Sequence, residues 1–177
     1  MSKIILYENP DFTGEDKEFV DDVKDLSVLN FNNTARSVRV IGRHWVVYTD
    51  SDHKGQFKVF GPGDHGNLGT LDQNISSLRL VKEDMLNPDI VLYEHVDYKG
   101  KSRSIKETTD NLSRSGFDNL VSSHKVKQGV WILYQDLNQS GPRLITFQDD
   151  EWDNYCQFKW NDKLSSVRAV KNSDFEI

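Results

Sequence analysis

Four copies of one short pattern run through the sequence, and this repeat constrains the fold more than any other feature. Each copy has an apolar run that ends in a tyrosine and reaches a glycine seven positions later: Tyr7 to Gly14, Tyr48 to Gly55, Tyr93 to Gly100 and Tyr134 to Gly141. Successive glycines are 41, 45 and 41 residues apart. A period near 40 residues is typical of a chain built from repeated supersecondary units.

A serine in an apolar run follows each glycine by about 23 residues, at Ser37, Ser77, Ser123 and Ser166. One unit therefore reads as strand, tight hairpin, strand, loop and strand. β-Branched and aromatic residues lie in short runs between Gly, Asp and Asn, and long helical periodicity is absent. The sequence predicts an all-β protein with short helical turns near 21–29 and 149–155.

The four units alternate in kind. Only the second and fourth carry a tryptophan three residues before the hairpin tyrosine, Trp45 and Trp131, which alternation places in the core. The order A-B-A-B predicts two domains of two motifs each. We expect a first domain at 1–83 with motifs 1–42 and 43–83, a polar linker at 84–89, and a second domain at 90–177 with motifs 90–128 and 129–171.

The hairpin from tyrosine to glycine, followed by a strand serine, resembles the signature of the βγ-crystallin family over residues 3–171. The resemblance implies two Greek-key β-sandwich domains, each made of two four-strand Greek-key motifs. It also implies that the glycine takes a positive φ and that the serine side chain holds the folded hairpin. His53 and Gln139 replace the aromatic residue expected at the hairpin corner, which predicts weaker packing there.

Within that family, the opening segment 2–9 resembles the non-lens epidermis differentiation-specific crystallin-like proteins of amphibians. Those proteins are longer. Because this chain ends at Ile177, we expect either a truncated form or a shorter relative.

A six-residue loop precedes each strand serine, at 32–37, 72–77, 118–123 and 161–166. Its pattern, two Asn or Asp residues, any two residues, then Ser or Thr and Ser, resembles the double-clamp calcium motif of microbial and non-lens βγ-crystallins. Ca²⁺ takes six to eight oxygen ligands, and every ligand type in this pattern supplies oxygen. Asx and Ser residues also cap turns without any metal, and the sequence leaves that reading open.

The resemblance implies how the ligands are shared between paired loops. Each site takes the second-position side chain of one loop, the third-position carbonyl and fifth-position hydroxyl of the other, and a hairpin carbonyl. The second domain would then hold two sites: Asn119 with the Lys163 carbonyl and Ser165, and Asp162 with the Leu120 carbonyl and Ser122. The first domain would hold one, from Asn33, the Asn74 carbonyl and Ser76. The hairpin carbonyls would come from Glu8, Asp50, Glu94 and Gln135.

The remaining site of the first domain is expected to be disabled. It would need Gln73, the Thr34 carbonyl and a hydroxyl at position 36, where the chain has Arg36. An arginine offers only donors and a positive charge. We therefore expect three calcium ions per chain, bound weakly, with dissociation constants on the order of 10⁻⁶ to 10⁻³ M.

Charge, cysteine count and apolar patterning argue against several other classes of protein. The formal net charge of −6 argues against a nucleic-acid surface. The single cysteine, Cys156, rules out an intrachain disulfide, and the five histidines lack zinc-ligand spacing, which predicts surface or turn positions for them. No apolar run is long enough for a membrane-spanning helix. The N-terminus lacks the apolar core of a secretory leader, so we expect a cytoplasmic protein or one exported without a leader.

Two functions remain open. The leading one is a calcium-binding structural or interaction protein, monomeric or weakly self-associating, with an unidentified protein partner. The alternative is a metal-free structural or lectin-like module that acts as partner subunit of a pore-forming or epidermal complex. An enzyme is not expected, because no acid–base pair or nucleophile recurs at a motif.

Overall fold

The computed structural model describes residues 1–177, and nearly all of its regular structure is antiparallel β-sheet. The strands are β1 (Lys3–Tyr7), β2 (Asp16–Phe19), β3 (Ser37–Ile41), β4 (Trp45–Asp50), β5 (Lys54–Phe60), β6 (Gly63–His65), β7 (Ser77–Leu80), β8 (Asp89–His95), β9 (Lys99–Ile105), β10 (Ser123–Gln128), β11 (Trp131–Asp136), β12 (Ser140–Thr146) and β13 (Ser166–Ala169). The helices are four short 3-10 turns, at Leu26–Leu29, Gly69–Leu71, Leu112–Ser115 and Tyr155–Phe158. The all-β prediction is confirmed.

The chain forms two compact units. One contains Met1–Lys82 together with Asn172–Ile177, and the other contains Glu83–Lys171. The last six residues, expected from sequence in the second domain, belong instead to the first unit, where residues 175 and 177 form main-chain hydrogen bonds with β5 and with Gly61. The expected linker also begins inside the second unit, where the Asp84 carboxylate accepts a hydrogen bond of 3.3 Å from Gln128.

The two motifs of the first unit exchange strands. One sheet has the order β2-β1-β3-β6, although β6 comes from the second motif, and the other has the order β5-β4-β7. In return, Val23 of the first motif pairs with Leu78 on β7. Each motif thus completes its partner's sheet, which is the connectivity of paired Greek keys.

The second unit repeats this arrangement. Its sheets have the orders β10-β8-β9 and β12-β11-β13. Trp152 of the fourth motif pairs with His124 on β10, and Thr109 of the third motif pairs with Val167 on β13. Each unit encloses its own apolar core, in which Trp45 and Trp131 are fully buried as predicted.

The strand serine holds each hairpin with the same two hydrogen bonds. Its hydroxyl donates to the carbonyl two residues after the tyrosine, over 2.5 to 2.6 Å, and accepts the N–H five residues after it, over 3.0 to 3.2 Å. The serines and their two main-chain partners are Ser37 with Asn9 and Phe12, Ser77 with Asp50 and His53, Ser123 with His95 and Tyr98, and Ser166 with Asp136 and Gln139. The role implied for the serines is confirmed.

The hairpin glycine is required by both conformation and space. Gly141 has φ 76°. A Cβ atom there would lie 2.2 Å from the Asp136 carboxylate, and one at Gly55 would lie 2.3 Å from the Thr49 hydroxyl. An alanine at either position would combine a strained backbone with a steric collision.

His53 and Gln139, which replace the aromatic residue at the hairpin corner, each make a side-chain contact there. The His53 ring lies 5.4 Å from the Tyr48 ring, close to the 5.9 Å between Phe12 and Tyr7, and its Nε2 donates to the Leu78 carbonyl over 2.9 Å. Gln139 replaces the ring contact with a hydrogen bond of 3.3 Å to the Thr109 carbonyl. Gln139 therefore has a hydrogen bond to the other motif in place of a ring contact, whereas His53 has both a ring contact and a hydrogen bond within its own motif.

A buried polar cluster distinguishes the second unit. His124 follows the strand serine, where the other motifs have Val38, Leu78 and Val167. Its Nε2 lies 2.8 Å from the Thr146 hydroxyl and its Nδ1 contacts the Tyr155 hydroxyl. Burial lowers the pKa of His124 to about 3 and raises that of Tyr155 well above its ordinary value. The predicted surface or turn position is wrong for His124, and also for the buried His44 and His65.

Replacing Ser166 by alanine should destabilise the second unit. The variant leaves the Gln139 N–H and the Asp136 carbonyl without their partner, so the free energy of unfolding should fall by about 2–3 kcal/mol. Urea unfolding measures the change. Ser140→Ala, in the same hairpin but on an exposed side chain, should cost less than about 1 kcal/mol. Equal losses in the two variants would contradict a special role for Ser166.

His124 should make stability fall in acid. An unfolded histidine binds a proton near pH 6.5, whereas folded His124 binds one only near pH 3. Between these values the unfolded state holds the extra proton, so the free energy of unfolding should decrease as pH falls, by up to about 1.4 kcal/mol per pH unit.

The matched variants for this effect are His124→Leu and His95→Gln. Urea unfolding at several pH values should show a shallower acid slope for His124→Leu. The slope of His95→Gln should match the wild type, because His95 is exposed. An unchanged slope in His124→Leu would contradict the assignment.

Candidate functional site

The four acidic-amide-serine loops come together in two pairs. Their second residues all have a left-handed backbone, with φ between 52° and 55°, at Asn33, Gln73, Asn119 and Asp162. The N–H of each second residue donates to the fourth-position carbonyl of the paired loop over 2.9 to 3.3 Å: Asn33 to Ile75, Gln73 to Ala35, Asn119 to Leu164 and Asp162 to Val121. The loops therefore meet in the combinations that the sequence analysis expected, within each domain.

The fifth position of every loop lies against a hairpin. Its N–H donates to the carbonyl of a hairpin tyrosine over 2.8 to 3.0 Å: Arg36 to Tyr7, Ser76 to Tyr48, Ser122 to Tyr93 and Ser165 to Tyr134. The next residue along each hairpin is therefore the neighbour of that loop. These residues are Glu8, Thr49, Glu94 and Gln135.

Asp50 occupies a different place from the other three expected hairpin residues. Its carbonyl accepts the Ser77 hydroxyl over 2.6 Å, as Asn9, His95 and Asp136 accept theirs in the other hairpins. The residue that corresponds to Glu8, Glu94 and Gln135 is Thr49, one position earlier.

The expected site of the first domain brings side-chain oxygens of both loops into contact. The Ser76 hydroxyl donates to the Asn33 Oδ1 atom over 3.3 Å. Ligand oxygens lie about 2.3–2.6 Å from Ca²⁺, so two of them at right angles around one ion would be about 3.4 Å apart. Asn74, whose carbonyl completes the set, lies in the same loop as Ser76, and its N–H donates to Leu71. The Asn33–Ser76 separation matches the spacing of two ligands on one ion.

The other loop position of the first domain holds an ion pair. The Arg36 Nε atom donates to the Asp72 carboxylate over 3.4 Å, which connects the first loop to the second. The Thr34 hydroxyl turns back to the Asn32 carbonyl. The Arg36 guanidinium thus lies where the other three loops have a serine hydroxyl. Gln73 has no carboxylate that could offset the positive charge of Arg36.

In the second domain, Asn119, Gln135 and Ser165 line one open depression of about 550 Å³. Asn119 lies beside Asp118, to whose carboxylate its amide donates over 3.2 Å. Lys163, the source of the expected carbonyl, lies in the same loop as Ser165, which is 7% exposed. The structure thus places Asn119 and Ser165, two of the three loop residues expected for this site, in one depression with Gln135, one of the expected hairpin residues.

The remaining loop positions of the second domain contain Asp162, Leu120 and Ser122. The Asp162 carboxylate accepts a hydrogen bond of 2.7 Å from Asn161. Ser122 is 8% exposed and lies beside the Glu94 hairpin. The Glu94 carboxylate itself accepts the Lys101 N–H over 3.3 Å, so its role in closing the hairpin is separate from that of its carbonyl.

The first loop position carries a feature that sequence reasoning missed. Asn32 and Asp118 each have a buried side-chain Oδ1 atom without a hydrogen-bond partner. Such an atom is costly unless a donor or a cation satisfies it. Asp118 also lines the depression with Asn119 and Ser165. The donor set here is entirely oxygen and includes one unsatisfied carboxylate oxygen, which fits a hard cation such as Ca²⁺.

No three His, Cys, Asp or Glu side chains of the chain cluster in a way that could hold a metal ion. Any site in the loops would depend on amide, hydroxyl and carbonyl oxygens, with few carboxylates. None of the helices has the length and apolar character needed to cross a membrane.

A family model described as Beta/Gamma crystallin matches residues 3–81 and 89–170. The chain belongs to the beta/gamma crystallin family. This βγ-crystallin is similar to the epidermal differentiation-specific protein of Cynops pyrrhogaster, with 35% identity over 98% of the chain. It spans about half of that relative, 52% of its length.

This βγ-crystallin is also similar to beta-crystallin B2 of Mus musculus, with 28% identity over 96% of the chain and 85% of the relative. Among solved structures, protein S complexed with calcium aligns over 96% of this chain and 100% of its own, at 21% identity and a TM-score of 0.41. The resemblance to epidermis differentiation-specific members is therefore confirmed at the level of sequence.

Proposed function

We propose that this protein is a calcium-binding non-lens βγ-crystallin with a structural or interaction role. Ca²⁺ would bridge the two loops of a domain and stabilise the paired motifs. The observation that carries the proposal is the contact between the Ser76 hydroxyl and the Asn33 amide oxygen, which come from opposite loops. The similarity to an epidermal differentiation-specific protein supports a role outside the lens.

The proposed ligands form three sites. Each takes one side chain from one loop, a carbonyl and a hydroxyl from the other, and a hairpin carbonyl. They are Asn33, Asn74, Ser76 and Thr49 in the first domain, and Asn119, Lys163, Ser165 and Gln135, with Asp162, Leu120, Ser122 and Glu94, in the second. Thr49 replaces Asp50, because the Asp50 carbonyl already accepts the Ser77 hydroxyl.

Binding would stabilise the folded domain by mass action. An ion that binds only when both loops are in place adds RT ln(1 + [Ca²⁺]/Kd) to the free energy of unfolding. At a calcium concentration 100 times the dissociation constant, one site contributes about 2.7 kcal/mol. The proposal assigns no catalytic step to any residue.

Calcium titration should detect three sites per chain. Isothermal titration calorimetry is expected to give a stoichiometry of three, and the melting temperature should rise with calcium and return with chelator. Ser76→Ala, Ser122→Ala and Ser165→Ala should each remove one site, since each deletes a hydroxyl ligand. Ser113→Ala is the matched control, because Ser113 lines the same depression as Ser165 but is not a proposed ligand.

Two results would count against this proposal. Absence of both heat and melting shift at millimolar calcium would favour the metal-free structural module. Equal stoichiometry in the wild type and the three serine variants would place the ions elsewhere on the acidic surface.

The double variant Arg36→Ser and Gln73→Asp should raise the stoichiometry from three to four. It restores a hydroxyl and a carboxylate at the site that now holds the Arg36–Asp72 ion pair. Aspartate tolerates the left-handed backbone at position 73, where φ is 52°.

The control for the restored site is Arg36→Ala with Gln73→Asp, which removes the same positive charge without supplying a hydroxyl. Calorimetry should give four ions only for the serine version. A stoichiometry that stays at three in both variants would refute the assignment of the disabled site.

A further inference from the structure

Residues 174–177 form an isolated β-bridge on the first unit, where they contact β5 and none of the four acidic-amide-serine loops. The Val59 N–H donates to the main-chain oxygen of Ile177 over 2.9 Å, and the Ile177 N–H donates back to Val59 over 3.0 Å. The Gly61 N–H donates to Phe175 over 2.7 Å. Glu176 thus forms an antiparallel bridge with Phe60 on β5, the outer strand of the β5-β4-β7 sheet.

Two glycines make room for this segment. A Cβ atom on Gly61 would lie 2.3 Å from the Asp174 carbonyl, and one on Gly63 would lie 2.6 Å from the Phe175 ring. In the second unit the position of Gly61 is taken by Phe147, since Thr146 pairs with Trp131 as Phe60 pairs with Trp45. The space beside β5 that the missing side chain of Gly61 leaves for the segment is therefore present only in the first unit.

Two buried histidines face the segment. The His44 Nε2 atom donates to the Asp174 carbonyl over 2.6 Å, and the equivalent residue of the second unit is Val130. The His65 ring stacks on Phe175 with 4.3 Å between centroids. Its Nε2 donates to Gly61, while its buried Nδ1 has no hydrogen-bond partner and lies 3.7 Å from the Glu176 carboxylate.

The acidic side chain of the segment meets a positive charge. Lys58, on β5, forms an ion pair with Glu176. The first unit therefore contacts this segment in three ways. Main-chain hydrogen bonds hold its backbone, His65 stacks on its aromatic residue, Phe175, and Lys58 pairs with its acidic residue, Glu176. This is the pattern by which an extended peptide is added to the edge of a sheet.

The segment is held by surface contacts. Phe175 remains 53% exposed, so docking buries little apolar area. Segments with few buried apolar contacts open at low free-energy cost while the remainder of the domain stays folded. Occupancy of the β5 edge is therefore reversible.

We propose that the β5 edge of the first unit is a strand-binding site whose ligand is an extended Asp-Phe-Glu-Ile segment. In this chain the site holds residues 174–177 of the same molecule. When that segment is released, the site binds the same sequence supplied by a separate peptide. The site acts independently of calcium, because it shares no residue with the acidic-amide-serine loops.

The test uses the full chain with Phe175→Ala and a synthetic peptide, Asn-Ser-Asp-Phe-Glu-Ile. Loss of the stack on His65 should release the segment, so hydrogen exchange at the Val59 and Gly61 amides should accelerate by about tenfold. Added peptide should restore the slow exchange of both amides. A peptide with alanine in place of phenylalanine should not, and Asn172→Ala in the chain should leave exchange at its wild-type rate.

A charge exchange tests the same site without altering its backbone. Lys58→Glu in the Phe175→Ala chain should weaken binding of the Asp-Phe-Glu-Ile peptide and favour one with lysine in place of glutamate. The proposal is overturned if the Val59 and Gly61 amides stay protected in Phe175→Ala, if the peptide fails to protect them, or if Lys58→Glu shows no preference between the two peptides.

Discussion

The hydroxyl of one strand serine in each repeat fixes the geometry of both the hairpin and the loop beside it. It donates to one hairpin carbonyl and accepts one hairpin N–H, so the hairpin is folded over its own sheet. The residue immediately before that serine uses its N–H to hold the tyrosine carbonyl at the base of the same hairpin. In the fourth repeat these neighbours are Ser165 and Ser166. Ser165, a proposed ligand, is therefore adjacent in the chain to Ser166, whose hydroxyl holds the hairpin.

Pairing of motifs follows from the loops as much as from the sheets. The left-handed residue in the second position turns its N–H towards the other loop, where it meets the fourth-position carbonyl. A single motif would leave that N–H and carbonyl unsatisfied, and it would also lack the strand that its partner supplies. This explains why an alternating A-B-A-B sequence folds as two units of two motifs. It also explains why any ion between the loops would report on the integrity of the whole unit.

The sequence was informative wherever the constraint was local. Tyrosine, glycine and serine at fixed spacing predicted the hairpins, because a positive φ and a short hydroxyl contact leave few alternatives. The pairing of the loops within each domain was predictable for the same reason, while the assignment of their residues as ligands stays a prediction. Asp50 lies two positions after its tyrosine, whereas Glu8, Glu94 and Gln135 each follow theirs directly, so Thr49 is the equivalent residue. The Ser76 N–H donates to the Tyr48 carbonyl, which makes Thr49 the next hairpin residue beside that loop.

Features that depend on distant partners were not predictable. His124 is buried because Thr146 and Tyr155 supply hydroxyls from elsewhere in the chain, and nothing in its own neighbourhood indicates this. The segment at 174–177 is too short to show a strand period. Its docking depends on Gly61 and His44, more than 100 residues earlier. Only the contrast with Phe147 and Val130 in the second unit identifies these residues as specialised.

Both units pair their loops through the same main-chain hydrogen bonds, but on the proposed function they supplement these bonds by different means. In the first unit, the Arg36 guanidinium forms an ion pair with Asp72 of the other loop. At the position equivalent to Arg36, each loop of the second unit has a serine whose hydroxyl is a proposed calcium ligand. An exposed ion pair of this kind contributes little, about 0–1 kcal/mol, but it does so at any calcium concentration. A calcium site contributes more and only when the ion is present. On the proposed function, the stability of the second unit would therefore follow calcium concentration more steeply, while the first unit would depend more on contacts within the chain, including the bridge between Glu176 and β5.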